Sequence, residues 1–205
     1  MPKKIKICGI QTEKDIHIMN QLKPDFAGFI FYKKSKRFVP YSKAALLTHQ
    51  LDGNIKSVGV FVNEKVNKVI EAVRTAKLDI VQLHGDEPDA YIDYLKTTLN
   101  CKIINVFRVN QQDTSFHEVN ADYYLFDTKV KAYGGTGTSF NWDMLQNINT
   151  KKPILLAGGI NTENIKKALQ TKADILDISS AVEVNDNKNF ELTKHMIETV
   201  RGYQG

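Results

Sequence analysis

Asp122-Tyr123-Tyr124-Leu125-Phe126-Asp127 reads as a buried strand, with four aromatic or apolar residues in a row and a carboxylate at the carboxyl end. Parallel α/β proteins keep their active sites at that end of their strands. Beyond it come Lys129 and Lys131, then Gly134-Gly135-Thr136-Gly137. Glycines so closely spaced let the backbone take positive φ angles and lie near a ligand, so this loop is expected to bend over an anion or close as a lid.

Working outward, comparable segments begin near Lys4, Ala27, Lys56, Asp79, Lys102, Pro153 and Asp174, which with Tyr123 makes eight. Each is followed by a loop and a segment of helical periodicity. Their starts lie about 24 residues apart, near the minimum for a strand, a crossover helix and two short loops. Helix signals agree: Thr12 opens Thr12 to Gln21, Tyr41-Ser42 opens a segment reaching Gln50, Asn63 precedes Glu64 to Thr75, and Asn161 precedes Thr162 to Gln170. Eight such units favour a closed (β/α)8 TIM barrel over an open doubly wound sheet, whose first turn would be glycine-rich; here it is Cys8-Gly9-Ile10. The expectation is an α/β chain forming one barrel domain over residues 1–205, with no exact internal repeat.

The remaining composition narrows the partners. No stretch approaches the roughly 18 apolar residues of a membrane span, and the N-terminus shows no signal-like apolar region, so a cytoplasmic, membrane-free protein is expected. Against 23 acidic residues stand 28 basic ones, only Arg37, Arg74, Arg108 and Arg201 being arginines. The net +5 supports a mild preference for anions. The one dense basic run, Lys33-Lys34-Ser35-Lys36-Arg37, reads as a solvated loop, and no nucleic-acid partner is expected. Cys8 and Cys101 fall at opposite ends of a parallel sheet, so no disulfide is expected.

Strand periodicity turns Ile5 and Ile7 towards the helices and Lys4, Lys6 and Cys8 into the barrel, which puts Cys8 at the mouth. A buried cysteine serves equally as a small core hydrophobe; at a strand's carboxyl end it can also act as a base, if a neighbour or ligand lowers its pKa from the ordinary value of about 8.5. Asp127 in the same mouth is the natural acid, unless it pairs with Lys129 or Lys131. Arg37, at the end of the loop after the second strand, can grip a carboxylate with two parallel hydrogen bonds. The seventh and eighth strands run into Leu156-Ala157-Gly158-Gly159-Ile160 and Leu176-Asp177-Ile178-Ser179-Ser180, which supply amides and hydroxyls near two expected helix N-termini, the usual phosphate cup of this barrel. Histidines 17, 49, 84, 117 and 195 form no ligand-spaced cluster, so no metal is assigned.

Taken in order, Lys6-Ile-Cys-Gly-Ile10, Gly28-Phe-Ile-Phe31 with Ser35-Lys-Arg37, Gln82-Leu-His-Gly-Asp-Glu87, Phe126-Asp127, Gly134-Gly-Thr-Gly137, Leu156-Ala-Gly-Gly159 and Asp177-Ile-Ser-Ser180 resemble the N-(5′-phosphoribosyl)anthranilate isomerase family over nearly the whole chain. The resemblance implies a cofactor-free Amadori rearrangement in tryptophan biosynthesis, in a monomer or homodimer acting on a small phosphorylated substrate. It further implies Asp127 as general acid, Cys8 as general base, and Arg37, His84 and Asp177 on the substrate. Gly158, Gly159, Ser179 and Ser180 would bind phosphate, and Gly134, Gly135 and Gly137 would belong to the loop over the site. Two departures stand out: Ala181 where the family usually has Gly, and Lys34 and Lys36 where it often has Pro.

Two other readings compete. A histidine-pathway aldose-ketose isomerase would share the barrel, but such enzymes pair two carboxylates and carry a half-barrel repeat. A non-catalytic barrel binding a phosphorylated ligand would keep the cup and need neither Cys8 nor Asp127.

Overall fold

In a computed structural model describing residues 2–109, 116–128 and 141–204, the eight expected strands form and close in sequence order into a parallel barrel. They are β1 (Lys4–Cys8), β2 (Phe26–Ile30), β3 (Lys56–Phe61), β4 (Ile80–Leu83), β5 (Lys102–Val109), β6 (Tyr123–Thr128), β7 (Ile154–Leu156) and β8 (Ile175–Ile178). Closure is made by β1 against β8, in the register Lys6↔Asp177.

Side chains alternate as the strand period requires. Ile5, Ile7, Phe29 and Leu176 face outward into the apolar layer under the helices. Phe26, Val58, Ile80, Ile104, Leu125, Leu155 and Ile175 fill the barrel interior as a second, smaller core. The closed sheet leaves no unpaired edge.

The amino end of the barrel is stitched by a recurring aspartate. Asp25, Asp79, Asp122 and Asp174 each stand just before an even-numbered strand. Their carboxylates accept the backbone N–H of Ile5, Ser57, Ile103 and Ile154, near the start of the preceding strand, at 2.8–2.9 Å. Three of them return a bond, donating their own N–H to the carbonyl of the residue they accept from. This fourfold pattern is a structural repeat without an exact sequence repeat.

The helices are α1 (Glu13–Leu22), α2 (Tyr41–Gln50), α3 (Val66–Ala76), α4 (Asp89–Thr98), α5 (Ile165–Gln170) and α6 (Phe190–Arg201). Thr12 starts α1 through a capping box with Asp15, as its sequence signal indicates. Asn63 does not cap α3: it sits at φ 49°, and the helix begins three residues later. The expectation of eight like units needs correction. Among the described residues no helix follows β5, and only a 3-10 turn, Trp142–Asn147, follows β6. After β8 the chain makes a 3-10 turn (Ser180–Val182) and a hairpin, β9 (Glu183–Val184) with β10 (Asn187–Lys188), before α6. Among the described residues, no helix is long and apolar enough to cross a membrane.

Candidate active site

Cys8 ends β1 and is 7% exposed. Two glycines make its setting possible. A Cβ on Gly28 would lie 2.7 Å from Cys8 Sγ, and Gly9, at φ +89°, passes so close to Arg37 that a Cβ there would stand 2.5 Å from Arg37 Cδ. Burial pushes the Cys8 thiol up. The ammonium groups of Lys6 and Lys188 draw it down and Asp177 pushes it up again, and the net shift is upward. The lowering expected of neighbours is therefore present but outweighed by burial.

Lys6 points inward, as the strand period predicts, and is fully buried. Its Nζ donates to Asp177 Oδ2 at 2.7 Å. The other oxygen, Asp177 Oδ1, is buried with no hydrogen-bond donor among the described residues.

Across the mouth, Asp127 on β6 accepts the N–H of Thr128 at Oδ1 (2.7 Å), and its Oδ2 lies 3.1 Å from His84 Nε2. His84 Nδ1 is in turn 2.9 Å from the amide nitrogen of Gln82, a buried residue of β4. An amide nitrogen can only donate, so Nδ1 accepts and the imidazole proton sits on Nε2, facing the carboxylate. The partners imagined for Asp127, Lys129 and Lys131, lie outside the described residues, as do Gly134, Gly135 and Gly137.

Arg37 is buried, and its guanidinium is already engaged: Nε and Nη2 donate to Glu183 Oε1 and Oε2 at 2.7 and 2.6 Å. The expected two-pronged grip is thus made to a protein carboxylate, leaving Nη1 and the second proton of Nη2 for anything else. Lys33, Lys34 and Lys36 are exposed, as a solvated loop should be.

Gly158 and Gly159 both take left-handed backbone conformations, φ +86° and +71°. A side chain at Gly158 would strike Thr128 and Asp127. Ser179 donates its hydroxyl proton to the carbonyl of Cys8 at 3.1 Å. The two expected helix N-termini differ from expectation: α5 starts only at Ile165, and Ser180 opens a single 3-10 turn. Ala181 lies in that turn and is not among the described residues with positive φ, so alanine fits where the resemblance leads one to expect glycine.

One cavity at the carboxyl end of the strands is lined by Cys8, Arg37, His84, Asp127, Gly158, Gly159, Asp177, Ser179 and Ser180. The structure therefore brings together every described residue to which the sequence assigns a catalytic or binding role. Gln82, Glu183 and Lys188 received no role there. A lysine and a glutamate flanking the turn dipeptide Asn185-Asp186 signal a hairpin, but nothing local to them points across the barrel to Arg37. Among the described residues no group of three or more His, Cys, Asp or Glu side chains could hold a metal ion.

A thiol and a carboxylate facing one mouth of a closed (β/α)8 barrel, beside a guanidinium and a glycine-serine rim, define a barrel isomerase built for acid-base work on a small anionic molecule. The chain belongs to the N-(5′-phosphoribosyl)anthranilate (PRA) isomerase family, whose sequence model matches residues 5–199. Curated N-(5′-phosphoribosyl)anthranilate isomerases from Clostridium acetobutylicum and a Thermoanaerobacter species (strain X514) are 44% and 42% identical to it, over 98% and 97% of this chain and 99% and 98% of theirs. The solved phosphoribosyl anthranilate isomerase of Thermotoga maritima superposes with a TM-score of 0.86 at 31% identity, covering 98% of this chain and 100% of that one. That of Thermus thermophilus gives 0.87 at 25% identity, with 97% and 98% covered. A third isomerase, solved in complex with reduced 1-(o-carboxyphenylamino)-1-deoxyribulose 5-phosphate, gives 0.81 at 27% identity and covers 98% of this chain and 100% of its own.

Proposed function

We propose that the chain converts N-(5′-phosphoribosyl)anthranilate into 1-(o-carboxyphenylamino)-1-deoxyribulose 5-phosphate, a step of tryptophan biosynthesis, by acid-base chemistry on its own side chains. Asp127 delivers a proton to the furanose ring oxygen as the bond from that oxygen to C1′ breaks, leaving a protonated Schiff base. Cys8, as thiolate, removes the C2′ proton, and its electrons move into the C1′–C2′ bond to give an enolamine. Tautomerisation gives the ketone, so atoms are conserved and no redox partner enters.

The observation that carries this reading is the convergence of Cys8 and Asp127 on one cavity. His84 steadies Asp127 through Nε2–H, and each Asp127 oxygen keeps a lone pair for the proton it delivers. Arg37 offers its outer N–H groups to the anthranilate carboxylate, while Gly158, Gly159, Ser179 and Ser180 hold the phosphate. Asp177 Oδ1 suits a sugar hydroxyl as donor. The same reading makes residues 1–205 one catalytic domain, monomeric or homodimeric, at work in the cytoplasm.

The test is consumption of phosphoribosylanthranilate by the purified protein, followed by loss of its fluorescence. Steady turnover is expected without added metal or cofactor; a protein that leaves the fluorescence unchanged overturns the assignment.

A further inference from the structure

The hairpin β9–β10 stands outside the barrel sheet, and no step of the rearrangement draws on its groups. Yet it carries two of the most deeply buried charges described, Glu183 and Lys188, with side chains 6% and 1% exposed. Its two-residue turn, Asn185 and Asp186, has φ 50° and 62°, the two positive values that a tight hairpin of this kind needs. Glu183 and Lys188 flank that turn and point to the same side, towards the mouth of the barrel.

Lys188 spends its three protons on three acceptors: the carbonyl of Cys8 at 2.6 Å, the carbonyl of Ser179 at 3.1 Å, and Glu183 Oε1 at 2.7 Å. Glu183 also takes both bonds from Arg37. Burying an ammonium and a carboxylate is expensive, and well-packed apolar residues would close the same hairpin at lower cost. What the pair touches explains their presence: the backbone under the base, the backbone of the phosphate rim, and the guanidinium. The hairpin tip is tied to the Arg37 loop a second time through Lys36 and Asp186.

We propose that Glu183 and Lys188 are positioning residues for the rearrangement, Glu183 aiming the outer edge of the Arg37 guanidinium at the substrate carboxylate and Lys188 holding Cys8 and Ser179 at a fixed separation. The inference rests on the functional reading above. With Nε and one proton of Nη2 committed to Glu183, the planar group has one paired edge left, and its direction is set by Glu183 rather than by the flexible arginine stem. Lys188 adds a charge effect to its anchoring one. Cys8 is faced by Lys6, Asp177, Arg37 and Lys188, and Lys188 is one of the two ammonium groups that pull the thiol down against its burial.

The test compares wild type with Glu183→Gln for binding of reduced 1-(o-carboxyphenylamino)-1-deoxyribulose 5-phosphate and of its counterpart lacking the ring carboxylate. Glu183→Gln is expected to lose about tenfold in affinity for the first and less than about twofold for the second, since only the first uses the aimed edge. Glu183→Asp, which keeps the charge and shortens the arm, is expected to show the same selective loss and serves if the Gln variant does not fold. Equal losses for the two compounds, or none, overturn the role of Glu183. Lys188→Met, or Lys188→Gln if that fails to fold, is expected to move the pH of half-maximal Cys8 alkylation upward by about half a unit or more. An unmoved profile overturns the role of Lys188. If wild type binds neither compound and leaves phosphoribosylanthranilate unconsumed, the functional reading itself falls; if it binds and turns over but the selective effects are missing, only this inference does.

Discussion

Replacing Gly158 by alanine probes the contact between the phosphate rim and the acid. The backbone there is at φ +86°, and holding an alanine in that region costs about 1–2 kcal/mol. The added Cβ would stand 2.4 Å from Thr128 Oγ1, 2.7 Å from Asp127 Oδ1 and 2.9 Å from Thr128 N. Restoring ordinary contact requires movements of up to roughly 1 Å, and overpacking of that kind costs about 1–3 kcal/mol. The sum, about 2–5 kcal/mol, corresponds to a melting point lower by roughly 5–15 °C in a domain of this size. The movement falls on Asp127, whose Oδ2 is held by His84. An acid displaced by about 1 Å is expected to lose about a hundredfold in kcat. Circular dichroism melting and the fluorescence assay measure both effects, with Gly53→Ala as the control. Gly53 has no atom within 4 Å of its hypothetical Cβ, so its change should stay within about 0.5 kcal/mol. A Gly158→Ala enzyme that melts within about 2 °C of wild type and keeps kcat within about threefold refutes the reasoning.

Three further outcomes are expected. Asp127→Asn should lose about a thousandfold or more in kcat while still binding the reduced product, because an amide matches the carboxyl in size and has no acidic proton to deliver; near-normal kcat would place the acid elsewhere. Arg37→Lys should raise KM by about tenfold in a folded protein, since an ammonium makes neither the paired contact to Glu183 nor a paired contact to substrate; an unchanged kcat/KM removes Arg37 from the site. Iodoacetamide should abolish activity through Cys8 alone, with the reduced product protecting. Burial raises the Cys8 thiol, so the thiolate fraction grows as pH rises, and alkylation rate and kcat/KM should climb together above the ordinary thiol value of about 8.5. Cys101 is pushed up to about 11, by burial first and then by Asp122, and should stay largely protonated there. Activity that survives full modification of Cys8, or disappears only as Cys101 reacts, ends the proposed role of Cys8.

The strands were legible because each is a short apolar run bounded by polar residues, and the expected starts fall within a residue or so of the observed ones. The inward face of β1 was legible too, since alternation alone turns Lys6 and Cys8 into the barrel. The connections were harder. Among the described residues a 3-10 turn stands between β6 and β7, and after β8 a 3-10 turn and a hairpin precede α6; over so few residues helical spacing does not distinguish a 3-10 turn from an α-helix. Asn63 carries the composition of a helix cap, yet takes a left-handed turn with its side chain bonded to Asp86 N. The ion pairs of the site were beyond reach. Arg37 and Glu183 are 146 residues apart, and Lys6 and Asp177 are 171 apart, so neither leaves a local signal. Lysines are ordinarily solvated, and only the tertiary contacts of Lys188 place it in the interior.

The aspartate stitches divide the barrel into four two-strand quarters, each carrying its own side-chain fastening: β1 with β2, β3 with β4, β5 with β6 and β7 with β8. The site draws on all four. Cys8 and Arg37 come from the first, His84 from the second, Asp127 from the third, and the glycine and serine pairs from the fourth. No fragment can therefore hold the whole chemistry, but the place of a break matters. A nick at the exposed Asn100, between α4 and β5, leaves all four fastenings inside their own pieces. The two halves, produced together, are expected to reassemble into active enzyme. A break between β5 and β6 puts Ile103 and Asp122 on separate chains, and co-expressed pieces cut there should recover less activity.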